Sequence, residues 1–337
     1  MPKALITGAA GFIGYHLSKR LLEEGFSVIG FDAMTDYYDV ALKERRLDML
    51  LENEGFRAVN ARLETEGALM DLITAEKPDV IVHLAAQAGV RYSIDNPKSY
   101  VESNLIGTFN LLEAVRANPC SHLLMASTSS VYGANTEMPY KETHKADIQM
   151  SFYGATKKAN EAMGHTYSHL YDLPITMFRF FTVYGPWGRP DMALFKFTKA
   201  ILDGDEIDVY NHGDLSRDFT YIDDLVTGIR LLIDTPPERP DSAETIEQGD
   251  SLSTIAPYRI VNIGNSEPTK LMDFIVAIEG ALGQEAKKNF MEMQLGDVPA
   301  TWADSSLLKS LTGYEPKTKL DEGVANFIAW YRDYYQV

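Results

Sequence analysis

A glycine-rich turn near the start of the chain restricts the fold more than any other feature. The apolar run Ala4 to Thr7 predicts a strand, and Gly8, Gly11 and Gly14 follow it with the spacing GxxGxxG. Glycine permits a tight turn between a strand and a helix, and it lets backbone N–H groups approach a pyrophosphate at the helix N-terminus. We therefore predict that the chain begins with a βαβ unit that binds a dinucleotide.

The pattern after this turn predicts an α/β protein with a doubly wound parallel sheet. Short apolar runs recur at Ser27 to Asp32, Asp79 to Leu84 and His122 to Ser127, and stretches of helical periodicity such as Tyr100 to Arg116 separate them. Strands that alternate with helices form a parallel sheet covered on both faces. We expect a dinucleotide-binding domain of the Rossmann type over residues 1–184. A strand and a helix from residues 215–265 could also form part of this domain. Residues 185–337 are predicted to form a smaller, mixed α/β lobe, with a solvated loop at 236–257.

Composition narrows the classes of partner. The 337 residues include 31 Lys and Arg and 48 Asp and Glu, for a net charge of −17, which argues against nucleic-acid or anionic-membrane binding. No run approaches the roughly 18 apolar residues of a membrane span. The single cysteine, Cys120, cannot form an intrachain disulfide, and no Cys/His cluster suggests a metal site. A cytoplasmic location is expected.

A carboxylate at the end of the second strand predicts the type of dinucleotide. Asp32 follows Gly14 by 18 residues, close to the distance of about 20 at which an acid binds the ribose hydroxyls. Asp accepts hydrogen bonds from a free 2′-OH and repels a 2′-phosphate, so NAD is favoured over NADP. His83, at the end of a later apolar strand, is interpreted as structural rather than catalytic.

The second chemical signal is the pair Tyr153 and Lys157. Their spacing places both side chains on one face of a helix. A nearby ammonium would lower the pKa of the phenol and suit it to proton transfer. An arbitrary YxxxK is most often a surface pair, but this one follows a strand whose end, Ser127 to Gly133, offers hydroxyl groups to the same substrate oxygen. The pattern predicts hydride chemistry on an alcohol.

Together these segments resemble a known family. The motifs TGAAGFIG, HLAAQAGVRYS, STSSVYG, YGATK, FRFFTVYGPWGRPDM and SRDFTYIDD are similar to those of extended short-chain dehydrogenases/reductases, specifically the nucleotide-sugar 4-epimerases. Within that group, DYYD at 36–39, AGVRYS at 88–93 and GDVPAT at 296–301 are most similar to UDP-glucuronate 4-epimerases.

The resemblance implies an activity with no net redox change. NAD would stay bound through each cycle, C4 of a UDP-hexuronate would be oxidised, and the 4-keto sugar would turn about its pyrophosphate link and be reduced on its other face. Ser130 stands where dehydratases and decarboxylases carry a carboxylate, which favours epimerisation. The alternatives are a UDP-glucose or UDP-N-acetylglucosamine 4-epimerase, a UDP-glucuronate decarboxylase, and a catalytically silent NAD-binding regulator. A homodimer through helices near Tyr100 to Arg116 and Tyr153 to Tyr171 is implied by the resemblance alone.

The resemblance also assigns individual residues, with no metal ligand among them. The catalytic residues would be Thr128, Tyr153 and Lys157. The cofactor residues would be Gly8, Gly11, Phe12, Ile13, Gly14, Asp32, Leu84, Ala85, Ala86, Gln87, Asn104, Ser127, Tyr153, Lys157, Phe180 and Val183. The substrate residues would be Ala88, Val90, Arg91, Ser129, Ser130, Thr182, Arg189, Met192, Ala193, Val209, Tyr210, Arg217 and Tyr221.

Two of these arginines have distinct expected roles. Arg217 would contact the UDP phosphates, with a surface ion pair to Asp214 or Asp218 as the alternative. Arg189 would contact the uronate carboxylate, with a loop-stabilising role as the alternative. Holding that carboxylate would also suppress loss of CO2 from the 4-keto uronate, which is a β-keto acid.

The chain departs from the family pattern at three places. Arg62 stands where many relatives carry an Asp that binds adenine, so this contact does not carry over. Ala33-Met34 replaces the usual Asn-Leu after Asp32, which puts a ribose or adenine contact in doubt. Gln294-Leu295 stands where relatives often have Arg-Pro or Gln-Pro, so a second phosphate-binding arginine is not expected.

Overall fold

Parallel strands and intervening helices build most of the molecule, in a computed structural model that describes residues 1–294 and 297–337. Leu295 and Gly296, which belong to two of the motifs above, lie outside the described residues. The strands are β1 (Lys3–Thr7), β2 (Ser27–Asp32), β3 (Phe56–Asn60), β4 (Val80–His83), β5 (His122–Ala126), β6 (Ile175–Phe180), β7 (Thr182–Tyr184), β8 (Glu206–Val209), β9 (Ser216–Tyr221), β10 (Tyr258–Ile263), β11 (Pro268–Lys270), β12 (Lys287–Phe290) and β13 (Ala300–Thr301).

The helices alternate with these strands. The α-helices are α1 (Phe12–Glu23), α2 (Val40–Leu51), α3 (Ala68–Glu76), α4 (Tyr92–Asp95), α5 (Pro97–Tyr100), α6 (Gly107–Ala117), α7 (Phe152–Tyr171), α8 (Ala193–Asp203), α9 (Ile222–Ile233), α10 (Leu271–Leu282), α11 (Ser306–Thr312) and α12 (Leu320–Tyr335). A π-helix over Val101–Ile106 precedes α6, and 3-10 turns cover Ser129–Tyr132, Tyr210–Gly213 and Ala243–Thr245.

The large sheet has seven strands in the order β10-β6-β5-β4-β1-β2-β3, with every neighbouring pair parallel. All residues of β4 and β5 are buried, as expected for central strands covered by helices on both faces. The strand order reverses between β1 and β4, and in such sheets a ligand cleft opens at the carboxyl ends of the strands at this point. The predicted doubly wound parallel sheet is confirmed.

The second half of the chain contributes to both parts of the molecule. β10 adds to the edge of the large sheet beside β6, from Tyr258 opposite Ile175 to Ile263 opposite Phe180, and α9 packs against α1. The other strands form small sheets. β9 lies between antiparallel β11 and parallel β13 and also pairs with β7, while β12 pairs with β8. Of these strands, β7 reaches the cleft through Val183, and Arg189 and Met192 from the segment that follows also line it.

Two structural observations bear on partners. Among the described helices, none has both the length and the apolar composition that crossing a membrane requires. In the described part of the chain, His, Cys, Asp and Glu side chains form no group of three or more that could hold a metal ion.

Candidate active site

The turn after β1 has the shape that a dinucleotide requires. Gly8 has φ +77°, and a Cβ atom there would lie 2.8 Å from the backbone nitrogen of Ala85. A Cβ atom on Gly14 would lie 2.0 Å from the Gly8 carbonyl oxygen. Helix α1 begins directly after Gly11, which has no side chain to cap the first N–H groups, so these donors can bind an anion. The residues present therefore fit a pyrophosphate.

Asp32 lies at the carboxyl end of β2, on the wall of the same pocket. Its Oδ2 accepts a hydrogen bond from the Ala10 amide at 3.0 Å, and its Oδ1 accepts one from the Met34 amide at 2.9 Å. Two backbone donors thus fix the orientation of the carboxylate, while each oxygen keeps a further lone pair for a ribose hydroxyl. The arrangement fits NAD, as the sequence predicts.

The adenine end of the pocket differs from the family pattern. Arg62 lines the pocket and donates to Glu64 Oε1 at 3.0 Å. Ala33 also lines it, without a polar side chain. The carboxylate at this end is therefore supplied by Glu64, two residues after the position where relatives carry Asp.

The three expected catalytic side chains line one wall of the pocket. Thr128 follows β5 in an extended conformation, and its hydroxyl accepts the Ser130 amide at 3.2 Å. Tyr153 lies in the first turn of α7, which Ser151 caps through the Gly154 amide. The Lys157 ammonium, one turn further on, donates to the Ala126 carbonyl at the end of β5 at 2.9 Å. This hydrogen bond ties α7 to the strand that carries Thr128.

Burial dominates the protonation equilibria of this wall. It raises the pKa of Tyr153, against which the Thr128 side chain and the positive charge of Arg189 act. Burial also lowers the pKa of Lys157 to about 8. From the spacing alone, Lys157 is expected to lower the pKa of the Tyr153 phenol. In the structure the loss of hydration outweighs any lowering, and the cation that favours the phenolate is Arg189.

A buried ionic network supports the catalytic wall from behind. The Arg179 guanidinium donates to both oxygens of Glu161, at 2.8 and 2.9 Å, and the Ser127 hydroxyl donates to Glu161 Oε1 at 2.7 Å. Glu161 lies one turn after Lys157 on α7, and Arg179 lies on β6. Although burial alone would raise the pKa of Glu161, Arg179 and Lys158 keep it below its ordinary value, so the carboxylate is ionised. The network fixes the end of β5 relative to α7.

Arg189 reaches the same pocket from the loop after β7. Asp191 holds its guanidinium by one edge, with Nε to Oδ1 at 3.0 Å and Nη2 to Oδ2 at 2.6 Å. The Tyr37 hydroxyl, from the loop after β2, donates to the same carboxylate at 3.1 Å. Asp191 uses the Nε and Nη2 groups of Arg189, so the Nη1 side of the guanidinium can bind a substrate carboxylate.

A second group of charged side chains is formed by Arg91, Arg217 and Asp297. Arg217 on β9 donates to Asp297 Oδ1 at 2.7 Å, and Arg91 lies 3.9 Å from the other oxygen of Asp297. The Arg91 guanidinium also stacks 4.8 Å from the centre of the Tyr210 ring. The partner of Arg217 is therefore Asp297, and neither Asp214 nor Asp218. This Arg91–Tyr210–Arg217 group gathers three of the residues that the sequence assigned to the substrate.

The structure brings most of the predicted cofactor residues together. Lining the pocket are Gly8, Gly11, Phe12, Ile13, Gly14, Asp32, Leu84, Ala85, Ala86, Gln87, Ser127, Tyr153, Lys157, Phe180 and Val183. Asn104 is not on the pocket wall. It is buried behind it, where its side chain holds the amide and the carbonyl of Gln87 and the Thr156 hydroxyl. His83, which was interpreted as structural, is likewise buried and contacts the hydroxyls of Thr7 and Thr108.

The predicted substrate residues are more dispersed. Ala88, Arg189 and Met192 line the pocket. Outside its wall lie Val90, Arg91, Ser129, Ser130, Thr182, Ala193, Val209, Tyr210, Arg217 and Tyr221. Of these, Val209 is completely buried in the hydrophobic core, and Tyr221 is buried with its hydroxyl accepting from Asn326. The roles of these residues stay predictions.

Sequence reasoning missed several residues around the pocket. Tyr37, Tyr38, Lys43 and Glu64 line it, and Asp191 orients Arg189. The Tyr37-Tyr38 pair is visible in the sequence as part of a motif. The contact between Tyr37 and Asp191 could not be predicted, because the two residues are 154 positions apart and no spacing rule connects them.

Comparison with known proteins identifies the family. The family model described as GDP-mannose 4,6 dehydratase matches residues 5–327. The chain belongs to this family. It is 54% identical over 332 residues to a protein of Rhizobium meliloti (strain 1021) named probable UDP-glucuronate 4-epimerase, covering 98% of this chain and 97% of that one. It is 46% identical over 336 residues to UDP-glucuronate 4-epimerase 4 of Arabidopsis thaliana, covering 98% and 75%.

A solved structure agrees with these sequence matches. The fold matches that of UDP-glucuronic acid 4-epimerase from Bacillus cereus in complex with UDP-glucuronic acid and NAD, with a TM-score of 0.88 and 33% identity. The match covers 99% of this chain and 100% of the other. The resemblance to extended short-chain dehydrogenases/reductases is thereby confirmed.

Proposed function

We propose that this chain catalyses the NAD-dependent 4-epimerisation of UDP-glucuronate to UDP-galacturonate. The observation that carries the proposal is that Arg189 lines the same pocket as Thr128, Tyr153 and Lys157. A guanidinium suited to a carboxylate thus stands beside a proton-transfer pair suited to an alcohol. The names and bound molecules of the similar proteins support the same substrate and cofactor.

Each catalytic residue of the pocket is proposed to have a separate role in the reaction. NAD, when bound, supplies a reversible hydride acceptor for C4. Tyr153 takes the proton from O4 and returns it when the sugar is reduced on its other face, and the Thr128 hydroxyl holds the same oxygen. Lys157, fixed by the Ala126 carbonyl, is proposed to bind the ribose, and the positive charge of Arg189 favours the Tyr153 phenolate. Because the hydride is returned to C4 and the proton to O4, the cycle has no net redox change.

The neutral side chains after Thr128 favour epimerisation over elimination. Ser129 and Ser130 carry no acid for the dehydration or decarboxylation that related enzymes perform. Arg189 provides a further safeguard. By binding the uronate carboxylate it would hold this group away from the orientation in which CO2 is lost to the neighbouring ketone.

The sugar must turn while the rest of the substrate stays fixed. Arg217 is proposed to hold the UDP diphosphate, since guanidinium groups bind phosphate oxygens in a bidentate manner. Because Arg91 shares the partner Asp297, we propose it as a second phosphate-binding arginine, which the Gln294-Leu295 sequence did not lead us to expect. Their shared contact with Asp297 orients both groups in advance. Binding energy is thereby concentrated on the part of the substrate that does not react.

We propose a two-lobe organisation for the chain, with the cofactor bound by 1–184 together with α9 and β10, and the nucleotide sugar bound by the remainder of 185–337.

We also propose a homodimer. Four apolar residues on the π-helix, α6 and α7 are between 37% and 60% exposed: Val101, Ile106, Phe109 and Leu170. Light scattering of Phe109→Glu should then give a monomer where the unmodified protein gives a dimer. An unmodified protein that is already monomeric would contradict this. The cytoplasmic location stays a prediction.

Product analysis without added cofactor tests the catalytic proposal. The purified protein, incubated with UDP-glucuronate alone, should yield UDP-galacturonate by NMR or chromatography. Clear preference for UDP-glucose or UDP-N-acetylglucosamine in parallel assays would refute the uronate assignment. Release of CO2 with a UDP-pentose would instead indicate a decarboxylase. A chain that binds NAD and converts none of these sugars would be a silent regulator.

A further inference from the structure

Arg46 on α2 is a fully buried cation that belongs to none of the predicted sites. Its Nη1 group donates to the Ala10 carbonyl at 3.1 Å and to the Tyr38 hydroxyl at 2.9 Å. Its Nη2 group donates to the carbonyls of Trp187 at 2.6 Å and Gly188 at 3.3 Å. These four acceptors are neutral oxygens, and Nε has no partner within the described residues. Burying a guanidinium in this way is costly, because no carboxylate among those acceptors balances its charge.

The four acceptors come from segments that are far apart in the chain. Ala10 belongs to the glycine-rich turn, where Asp32 holds its amide while Arg46 holds its carbonyl. Trp187 and Gly188 lie 141 and 142 residues after Arg46 in the sequence, and they directly precede Arg189. One side chain therefore joins the cofactor turn to the backbone that carries the expected carboxylate ligand.

The backbone at Trp187 depends on support from outside the loop. Its φ of +60° is a left-handed conformation that a residue with a side chain rarely adopts, and such strain persists only where the surroundings fix it. The Trp187 ring packs against Tyr15, Trp330 and Tyr334. These contacts hold the side chain, whereas the Arg46 hydrogen bonds hold the peptide groups on both sides of Gly188.

We propose that Arg46 is a positioning residue that sets the location of Arg189 relative to the cofactor turn, and thereby the preference for a substrate that carries a carboxylate. The proposal rests on the proposed function for the role given to Arg189. A planar guanidinium suits the task because its two Nη groups diverge toward two segments, whereas a lysine ammonium is a single point of charge. The hydrogen bonds from Arg46 to Ala10, Trp187 and Gly188 form what we call the Arg46 bridge. Even the conservative change Arg46→Lys would lose some of these hydrogen bonds.

The test measures binding of two ligands to the NAD-loaded protein. Calorimetry would compare UDP-glucuronate with UDP-glucose, which carries CH2OH in place of the carboxylate, in the unmodified protein, Arg46→Lys and Arg46→Met. Arg45→Met is the matched control, because Arg45 is its exposed neighbour on the same helix. For Arg46→Lys we expect UDP-glucuronate to bind about 10-fold more weakly, the scale of one lost charge-assisted hydrogen bond, while the affinity for UDP-glucose changes less than about 2-fold. KM for UDP-glucuronate should rise more than kcat falls, with CO2 among the products.

Equal weakening of both ligands, or no change in either, would overturn the proposal. If Arg46→Met fails to fold, Arg46→Lys and Tyr38→Phe, which removes one acceptor, carry the comparison. An unmodified protein that forms no UDP-galacturonate from UDP-glucuronate would instead refute the proposed function. In that event the bridge is still tested by acrylamide quenching of tryptophan fluorescence. Quenching should increase in Arg46→Lys and not in Arg45→Met, and equal quenching would refute the bridge.

Discussion

Two regions of the site are assembled in different ways: the cofactor end, around the glycine-rich turn and Asp32, and the proposed sugar end, around Arg189 and the Arg91–Tyr210–Arg217 group. At the cofactor end, Asp32 binds the amides of Ala10 and Met34, which are 22 and 2 residues away. At the sugar end, Tyr37 binds Asp191 across 154 residues, and Arg217 binds Asp297 across 80. Local backbone geometry therefore determines the first end, whereas the packing of distant segments determines the second. A single substitution at the sugar end is expected to disturb specificity more readily than cofactor binding.

The two ends also differ in charge. The cofactor end presents charges of both signs, with Asp32 and Glu64 beside Lys43 and Arg62. At the proposed sugar end Arg189 lines the pocket, and Arg91 and Arg217 lie outside its wall, in a chain whose net charge is −17. Asp191 pairs with Arg189, and Asp297 pairs with the other two arginines. Because each cation is already paired, binding of an anionic substrate depends on the orientation of the remaining N–H groups more than on net positive charge.

The largest effect is expected where the two ends meet, at Tyr153. Tyr153→Phe should lower turnover by about 10²- to 10⁴-fold, because a general base is lost, while NAD and UDP still bind. Steady-state kinetics and chromatographic measurement of bound NAD check both parts. Tyr167→Phe is the matched control, since it removes a hydroxyl on the same helix that bonds Glu113. Turnover of Tyr153→Phe within a few-fold of the unmodified protein would refute the assigned role.

At the sugar end, Arg189→Ala should distinguish the contribution of the carboxylate to binding from that of the diphosphate. Loss of a charge-assisted contact predicts about 10- to 100-fold weaker binding of UDP-glucuronate with little change for UDP, and some release of CO2. Arg217→Ala should weaken both ligands by similar factors, because the diphosphate is common to them. Calorimetry with the two ligands distinguishes these patterns. Unchanged UDP-glucuronate binding without CO2 release would remove Arg189 from the carboxylate site.

At the cofactor end, Asp32→Asn should lower the affinity for NAD by about 10-fold, the scale of lost hydrogen bonds to a charged acceptor. It should also remove the repulsion of a 2′-phosphate, so NADP binding should improve relative to NAD. Competition between the two dinucleotides for the protein measures this ratio. Asp36→Asn, an exposed neighbour in the same loop, is the control. If the ratio stays at its unmodified value, Asp32 does not select the cofactor.

The different construction of the two ends explains how far the sequence could predict them. The sheet, the glycine-rich turn and the Asp32 position follow from local runs and fixed spacings, and so does the Tyr153–Lys157 face of α7. The Arg46 bridge and the Tyr37–Asp191 contact depend on how residues more than 140 apart pack together. Periodicity carries no information about such pairs. The direction of the pKa shift of Tyr153 was also missed, because it depends on burial and not on the neighbouring charge alone.

The smallest expected effect is a pH dependence that links the catalytic wall to the cofactor end. Burial lowers the pKa of Lys157 to about 8, so its charged fraction falls from about nine-tenths at pH 7 to about one-tenth at pH 9. If the ammonium binds the ribose, NAD affinity falls as pH rises through 8, by at most about 10-fold over this range. Desalting at pH 7 and pH 9, followed by measurement of retained NAD, tests this. Lys157→Gln should lower retention at pH 7 and remove the pH dependence, whereas Lys158→Gln should keep it. Retention that is equal at both pH values in the unmodified protein would show that the charge of Lys157 does not contribute to NAD binding.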